Sequence, residues 1–119
     1  MQLQTPSESR AEQMIRLAQL RMVSEREGDV HTLGLTGEID LANAAQVDRE
    51  LRRIEATDVE VILVDLLGVS FIDSTGMKVL ITAATRSRAT SRLVIQGAGP
   101  AVLRVLHIAG IADRLPLVT

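Results

Sequence analysis

Cysteine is absent from the 119 residues, which excludes disulfide stapling and thiolate chemistry alike. Tryptophan and tyrosine are absent too, and Phe71 is the single aromatic residue. A chain so poor in rings has no stacking platform for single-stranded nucleic acid, and Leu, Ile, Val and Ala must fill its core. A basic footprint is missing: 13 Lys and Arg against 15 Asp and Glu leave a net charge of −2, which argues against direct nucleic-acid binding. Apolar runs long enough to cross a bilayer are missing as well, the longest being broken by Asp65, Asp73 and Lys78. The first residues are polar, with Glu8, Arg10 and Glu12, and lack the apolar stretch of a secretory leader, so a cytoplasmic protein is expected. His31 and His107 are lone histidines with no cluster of nearby carboxylates or cysteines, so neither a metal site nor a Ser-His-Asp arrangement is expected. Gly97-Ala98-Gly99 lacks the remaining spacing of a dinucleotide fingerprint, so no cofactor is expected either.

What is present is ample apolar content, 46%, in patterns that alternate between strand and helix periods. Residues 1–18 read as a tail, disordered or with a short helix over 11–18, and residues 19–119 as one domain. Residues 19–24 alternate polar and apolar as an edge strand does, Glu27-Gly28-Asp29 is a turn signal, and residues 30–36 form a second strand. A hairpin with a loop somewhat longer than two residues is expected. Gly37-Glu38-Ile39-Asp40 closes that strand and opens a loop. From Leu41 onward, Ala44, Val47, Leu51 and Ile54 keep helical spacing beneath a charged outer face. Val61-Ile62-Leu63-Val64-Asp65-Leu66 is a buried strand, followed by a turn at Leu67-Gly68 and the extended piece Val69-Ser70-Phe71-Ile72. A second helix runs from Ser74 to about Arg88, with Met77, Leu80, Ile81 and Ala84 inward. Residues 92–96 form a fourth strand. Gly99-Pro100 opens a third helix with Val102, Val105, Leu106 and Ala109 inward, Leu103 off that stripe and Gly110 as its stop, before a weak terminal strand within 111–118. The order ββαβαβα predicts an α/β fold: a mixed, mostly parallel sheet with an antiparallel edge hairpin, packed by amphipathic helices.

Asp73-Ser74-Thr75-Gly76 is the most informative stretch, because it joins a strand end to a helix start. Asp, Ser and Thr all suit the N-cap, where a side-chain oxygen accepts from first-turn amides. Hydroxyls placed there meet a helix end that favours negative charge. Ser74 and Thr75 can be read in two ways: as ordinary caps, or as a phosphoacceptor whose charge a partner would feel. Asp73 either caps the helix or orients Ser74. Asp40 or Asn43 caps the first helix, or Glu38 and Asp40 shape a loop beside Ser74. Met77 and Lys78 offer contact surface next to it.

Gly37-Glu38-Ile39-Asp40, Phe71-Ile72-Asp73-Ser74-Thr75-Gly76, and Gly99-Pro100-Ala101-Val102 with Ile108-Ala109-Gly110-Ile111, in this order and spacing, resemble the STAS domain. More narrowly they resemble bacterial anti-sigma factor antagonists, over roughly residues 20–117. The resemblance implies a STAS-like (SpoIIAA-like) fold and a non-catalytic switch protein, monomeric or weakly dimeric. Its partners would be an anti-sigma factor that is also a serine kinase, and a serine phosphatase that restores the unmodified form. It implies phosphorylation at Ser74, with Thr75 the alternative acceptor, and a partner surface at Glu38, Asp40, Asp73, Ser74, Thr75, Gly76, Met77 and Lys78. A typical member continues into a last amphipathic helix after the terminal strand, so this domain would lack that helix or have been cut before it. Two other readings remain open: a non-catalytic STAS subunit of a stress-signalling scaffold or lipid-transport complex, and a nucleotide-binding enzyme domain, since alternating βα chains often bind ligands at strand C-terminal ends.

Overall fold

Strands β1 (Leu20–Glu27) and β2 (Val30–Ile39) form the antiparallel edge of the sheet, in a computed structural model that describes residues 19–118. The tail expected over residues 1–18 lies outside the described residues. Glu27 pairs with Val30, so the loop has only two residues, Gly28 and Asp29, shorter than the sequence predicts. Gly28 at its first position has φ +63°, which the primed hairpin turns require and which glycine adopts without strain.

From β2 onward every pairing is parallel. Helix α1 (Ala44–Glu55) leads to β3 (Val61–Ile72), α2 (Ser74–Arg86) to β4 (Leu93–Gln96), and α3 (Pro100–Ile108) to β5 (Leu117–Val118) by way of a 3-10 turn, Ala112–Arg114. The five strands lie in the order β1-β2-β3-β4-β5. His31, Leu33 and Leu35 of β2, Ile62, Val64 and Leu66 of β3, and Leu93 and Ile95 of β4 share the buried face. The apolar residues among them join one core with Val47, Leu51 and Ile54 of α1, Leu80 and Ala83 of α2, and Val102 and Leu106 of α3.

Three sequence expectations need correction. Leu67-Gly68 is not a turn; β3 runs through it for twelve residues. Gly34 faces Asp65 while Thr36 faces Gly68, and Gly37 faces Val69 while Glu38 faces Phe71, so β3 carries two bulges. Each bulge resets the inward face, and Leu66, Val69 and Ile72 are buried at a spacing of three, which no strand template anticipates. The buried line of α2 is Gly76, Leu80 and Ala83, with Met77, Ile81 and Ala84 only partly covered, so the inward stripe is rotated from the expected one. Ala109 is exposed, because α3 ends at Ile108; Leu103 is half-buried.

Helices α1 and α2 are clamped by charge. Arg86 Nε and Nη2 donate to Glu55 Oε1 and Oε2 at 2.7 and 2.8 Å, and the guanidinium also reaches Asp48 at 3.4 Å. Arg92 donates to the carbonyls of Glu55, Thr57 and Val59 at 2.7 to 3.0 Å, closing the C-terminal end of α1. The Arg86 and Glu55 side chains are only 22% and 18% exposed, whereas in the pair Arg26–Asp58 the aspartate is 90% exposed. A two-bonded, half-buried pair is worth more than a solvated one. Arg86→Ala is expected to lower unfolding free energy by about 2 kcal/mol in urea titrations, and Arg26→Ala to stay within about 0.5 kcal/mol.

Candidate functional site

The C-terminal ends of β2 and β3 lie side by side, with Ile39 in register with Ile72. The chain leaves each strand there into a loop and a helix. Asp73, the first residue beyond β3, joins the two exits. Its N–H donates to Ile39 O at 3.0 Å, and its Oδ2 accepts from Leu41 N–H at 3.2 Å. Its Oδ1 accepts from the N–H groups of Thr75 and Gly76 at 2.9 and 3.1 Å, and from the Thr75 hydroxyl in a short bond. Asp73 is thus the N-cap of α2. The Thr75 hydroxyl, followed by these amides, holds the Asp73 carboxyl below the usual carboxylate range, so it is ionised at neutral pH.

Gly76 explains how closely α2 approaches the strand ends. A Cβ there would lie 2.7 Å from Ile39 Cγ2 and 2.8 Å from Ile72 Cγ1. It is buried, and places its neighbours without presenting a side chain of its own. The loop after β2 is tied down separately. Buried Asn43 accepts from Asp40 N–H at 3.0 Å and donates to Glu38 O at 2.8 Å, and Asp40 Oδ1 accepts from Ala42 N–H at 3.0 Å. Asn43 is the N-cap position of α1, with its side chain turned back to the loop.

The structure therefore brings Glu38, Asp40, Asp73, Ser74, Thr75, Gly76, Met77 and Lys78 to one end of the sheet. Ser74 and Lys78 are exposed; Glu38, Asp40, Asp73, Thr75 and Met77 are half-buried. The two hydroxyls differ. Thr75 is committed to Asp73, while Ser74 Oγ has no hydrogen-bond partner among the described residues. Asp73 makes no bond to Ser74. Three first-turn amides are committed as well: those of Thr75 and Gly76 go to the Asp73 carboxylate, and that of Met77 to the Asp73 carbonyl.

Sequence reading missed the apolar surroundings. Leu41, expected on the inner face of the first helix, precedes it and is 79% exposed beside Asp73; Phe71 is 47% exposed. Its position two residues ahead of the Asn43 cap was the available signal for Leu41. A shallow cavity of about 240 Å³ is lined by Ser74, Met77, Lys78, Ile81, Ala109 and Ile111, joining α2 to the end of α3. Among the described residues no group of three or more His, Asp or Glu is placed to hold a metal ion, and no helix is long and apolar enough to cross a membrane.

Residues 21–119 match the family model of the STAS domain. The chain is 33% identical over 96 residues to a protein of Listeria monocytogenes named anti-sigma-B factor antagonist, covering 80% of this chain and 84% of that one. Its fold is similar to the crystal structure of an anti-sigma factor antagonist from Mycobacterium paratuberculosis, with a TM-score of 0.74, 24% identity, and 82% and 84% of the two chains covered. It is also similar to SpoIIAA of Bacillus in its phosphorylated form, with a TM-score of 0.63, 20% identity, and 83% and 92% covered.

Two substitutions test this geometry. Asp73→Ala removes the cap and is expected to cost about 1–2 kcal/mol at pH 7. Because the Asp73 pKa is depressed in the folded state, its contribution is complete above the unfolded value and is lost as pH falls through the folded one. The stability gap between wild type and Asp73→Ala should thus narrow below about pH 4 in thermal melts. Gly76→Ala gains about 1 kcal/mol of helix propensity but drives a methyl into Ile39 and Ile72. Overpacking of about 1–3 kcal/mol should win, giving a lower melting temperature.

Proposed function

The chain belongs to the STAS domain family, and we propose that it is an anti-sigma factor antagonist switched by phosphorylation at Ser74. In the unmodified state it binds an anti-sigma factor in the cytoplasm and so frees the sigma factor. The anti-sigma factor is also a serine kinase. It moves the γ-phosphoryl group of ATP onto Ser74 Oγ; the bond from the γ-phosphorus to the bridging oxygen breaks, ADP departs, and the hydroxyl proton passes to a base of the kinase. A serine phosphatase hydrolyses the ester and restores the binding form. The antagonist itself is not an enzyme.

The observation that carries this reading is the state of the two hydroxyls. Ser74 is exposed and unbonded at the first residue of α2, while Thr75 is held by Asp73. A kinase therefore meets one ready acceptor, not two. The relative named as an anti-sigma-B factor antagonist and the phosphorylated state of SpoIIAA, a protein of the same fold, support it. Glu38 at the end of β2, Asp40 and Leu41 on the clasped loop, Phe71 at the end of β3, and Met77 and Lys78 on α2 form the surface the anti-sigma factor covers.

The magnitude suffices for a switch. Phosphorylation adds about −1.5 to −2 charges. A like charge brought to about 4 Å costs about 4 kcal/mol at an effective dielectric near 20, and each ~1.4 kcal/mol is tenfold in affinity. In calorimetry against the anti-sigma factor, Ser74→Ala is expected to bind as wild type does and Ser74→Asp and Ser74→Glu at least tenfold more weakly. Equal affinity for wild type and Ser74→Asp would sink the electrostatic switch. Mass mapping after incubation with the kinase and ATP should place the modification on Ser74. A pull-down from native lysate that returned transporter or scaffold components, and no kinase-fold protein, would favour the reading as a subunit of a larger assembly.

A further inference from the structure

We propose that Lys78 is the counter-ion of phosphorylated Ser74, drawing the phosphate one turn along α2 and over the apolar groove beside it. This rests on Ser74 being the phosphoacceptor and concerns how the modified state is built. An anion arriving at a helix start is ordinarily received by first-turn amides, but here three of them are taken and only the N–H of Ser74 itself has no partner among the described residues. The Asp73 carboxylate already holds the N–H groups of Thr75 and Gly76, and the Asp73 carbonyl holds that of Met77. A phosphate on Ser74 also faces an ionised Asp73, with Asp40 on the loop that Asp73 grips. The strand side of Ser74 is therefore negative, with a single backbone N–H left to offset it.

The helix side is open. Lys78 follows Ser74 by four residues on α2, so the two side chains share one face with Cβ atoms roughly 5–6 Å apart. The acidic group stands N-terminal to the lysine, the more favourable order for such a pair. Of the two cations on α2, Arg86 is committed to Glu55 and Asp48, whereas Lys78 has no ion-pair partner among the described residues. On the α1 side Lys78 borders a second groove with Asp48 and Arg52, and those two pair with each other at 3.0 Å. Ser74 and Lys78 line the same cavity as Met77, Ile81, Ala109 and Ile111. A phosphate held between them covers that apolar floor with a doubly charged group. Phosphorylation then changes the character of the groove as well as the local charge.

The test uses the full chain with phosphoserine installed at position 74 during translation, followed by phosphorus NMR across pH. Phosphoserine loses its second proton at a pKa of about 6, and a nearby ammonium favours the dianion. Relative to wild type, Lys78→Gln is expected to raise this pKa by about 0.2–0.4 of a pH unit, and Lys78→Arg to leave it within about 0.1 of a unit. The Met77 methyl resonance should shift on modification in wild type, and less in Lys78→Gln. An unchanged phosphate pKa in Lys78→Gln overturns the proposal. Mass mapping of the kinase-treated chain reads the acceptor separately: a result that placed the modification elsewhere would remove the functional reading, while the pairing of Lys78 with an installed phosphate would still stand or fall on the titration.

Discussion

The carboxylate of Asp73 holds together the end of the sheet where β2 and β3 finish. It bonds across two crossover units, to the loop after β2 through Leu41 and to the start of α2 through Thr75 and Gly76, while its own amide pairs with Ile39. An amide of the same size would lose one of the two accepting oxygens that this clasp uses, and with it the charge that the macrodipole favours. The cap also orients the first turn of α2. With Asp73 turned inward to its donors, Ser74 at the first helical position stands in solvent, and Gly76 two positions later lies flat against Ile39 and Ile72. Display of the serine and burial of the glycine are two consequences of one cap.

That clasp requires β2 and β3 to finish level. From Val30 to Ile39 the first strand takes nine steps, and between the same two pairs β3 takes eleven, from Val61 to Ile72. The two bulges absorb the difference. Without them Asp73 would lie beyond reach of Leu41 and α2 would start away from the loop it is tied to. Bulges strengthen local twist and re-aim side chains near the ends of strands; here they trim a long strand to the height of its neighbour. The cost falls on Leu67 and Phe71, which are left exposed where the alternation slips.

The element order, the hairpin, the parallel crossovers and the place of Ser74 at a helix start were all legible in the chain, because period and cap chemistry are local. Ala44, Val47, Leu51 and Ile54 show their helix in their own spacing and are its buried residues in the fold. What was not legible depends on pairing. Gly68 next to Leu67 reads as a turn in one dimension, and only registration against Thr36 shows it to be strand. The rotation of α2 onto Gly76, Leu80 and Ala83 comes from how close a residue without Cβ lets the helix come. The commitment of Thr75 to Asp73 could not be separated from that of Ser74 by composition, since either hydroxyl suits a cap. The Arg86–Glu55 clamp joins residues far apart in the chain, and no local pattern announces it.

The same cap decides where the energy of a phosphate at Ser74 is felt. Charge at a helix N-terminus is worth about 0.3–1 kcal/mol at an exposed site, and the Asp73 carboxylate already occupies two of the amides through which that interaction acts, those of Thr75 and Gly76. A second anion therefore gains little from the helix, and solvent screens its repulsion from Asp73. Beyond the few tenths of a kcal/mol that an i,i+4 pair with Lys78 would supply, the fold has small reason to stabilise or to resist such a modification. A protein surface docked over Ser74 lacks that solvent, and there a like charge at close range costs several kcal/mol at an intermediate dielectric. In the proposed switch, the imbalance between those two figures would let affinity change by orders of magnitude while the scaffold keeps its shape.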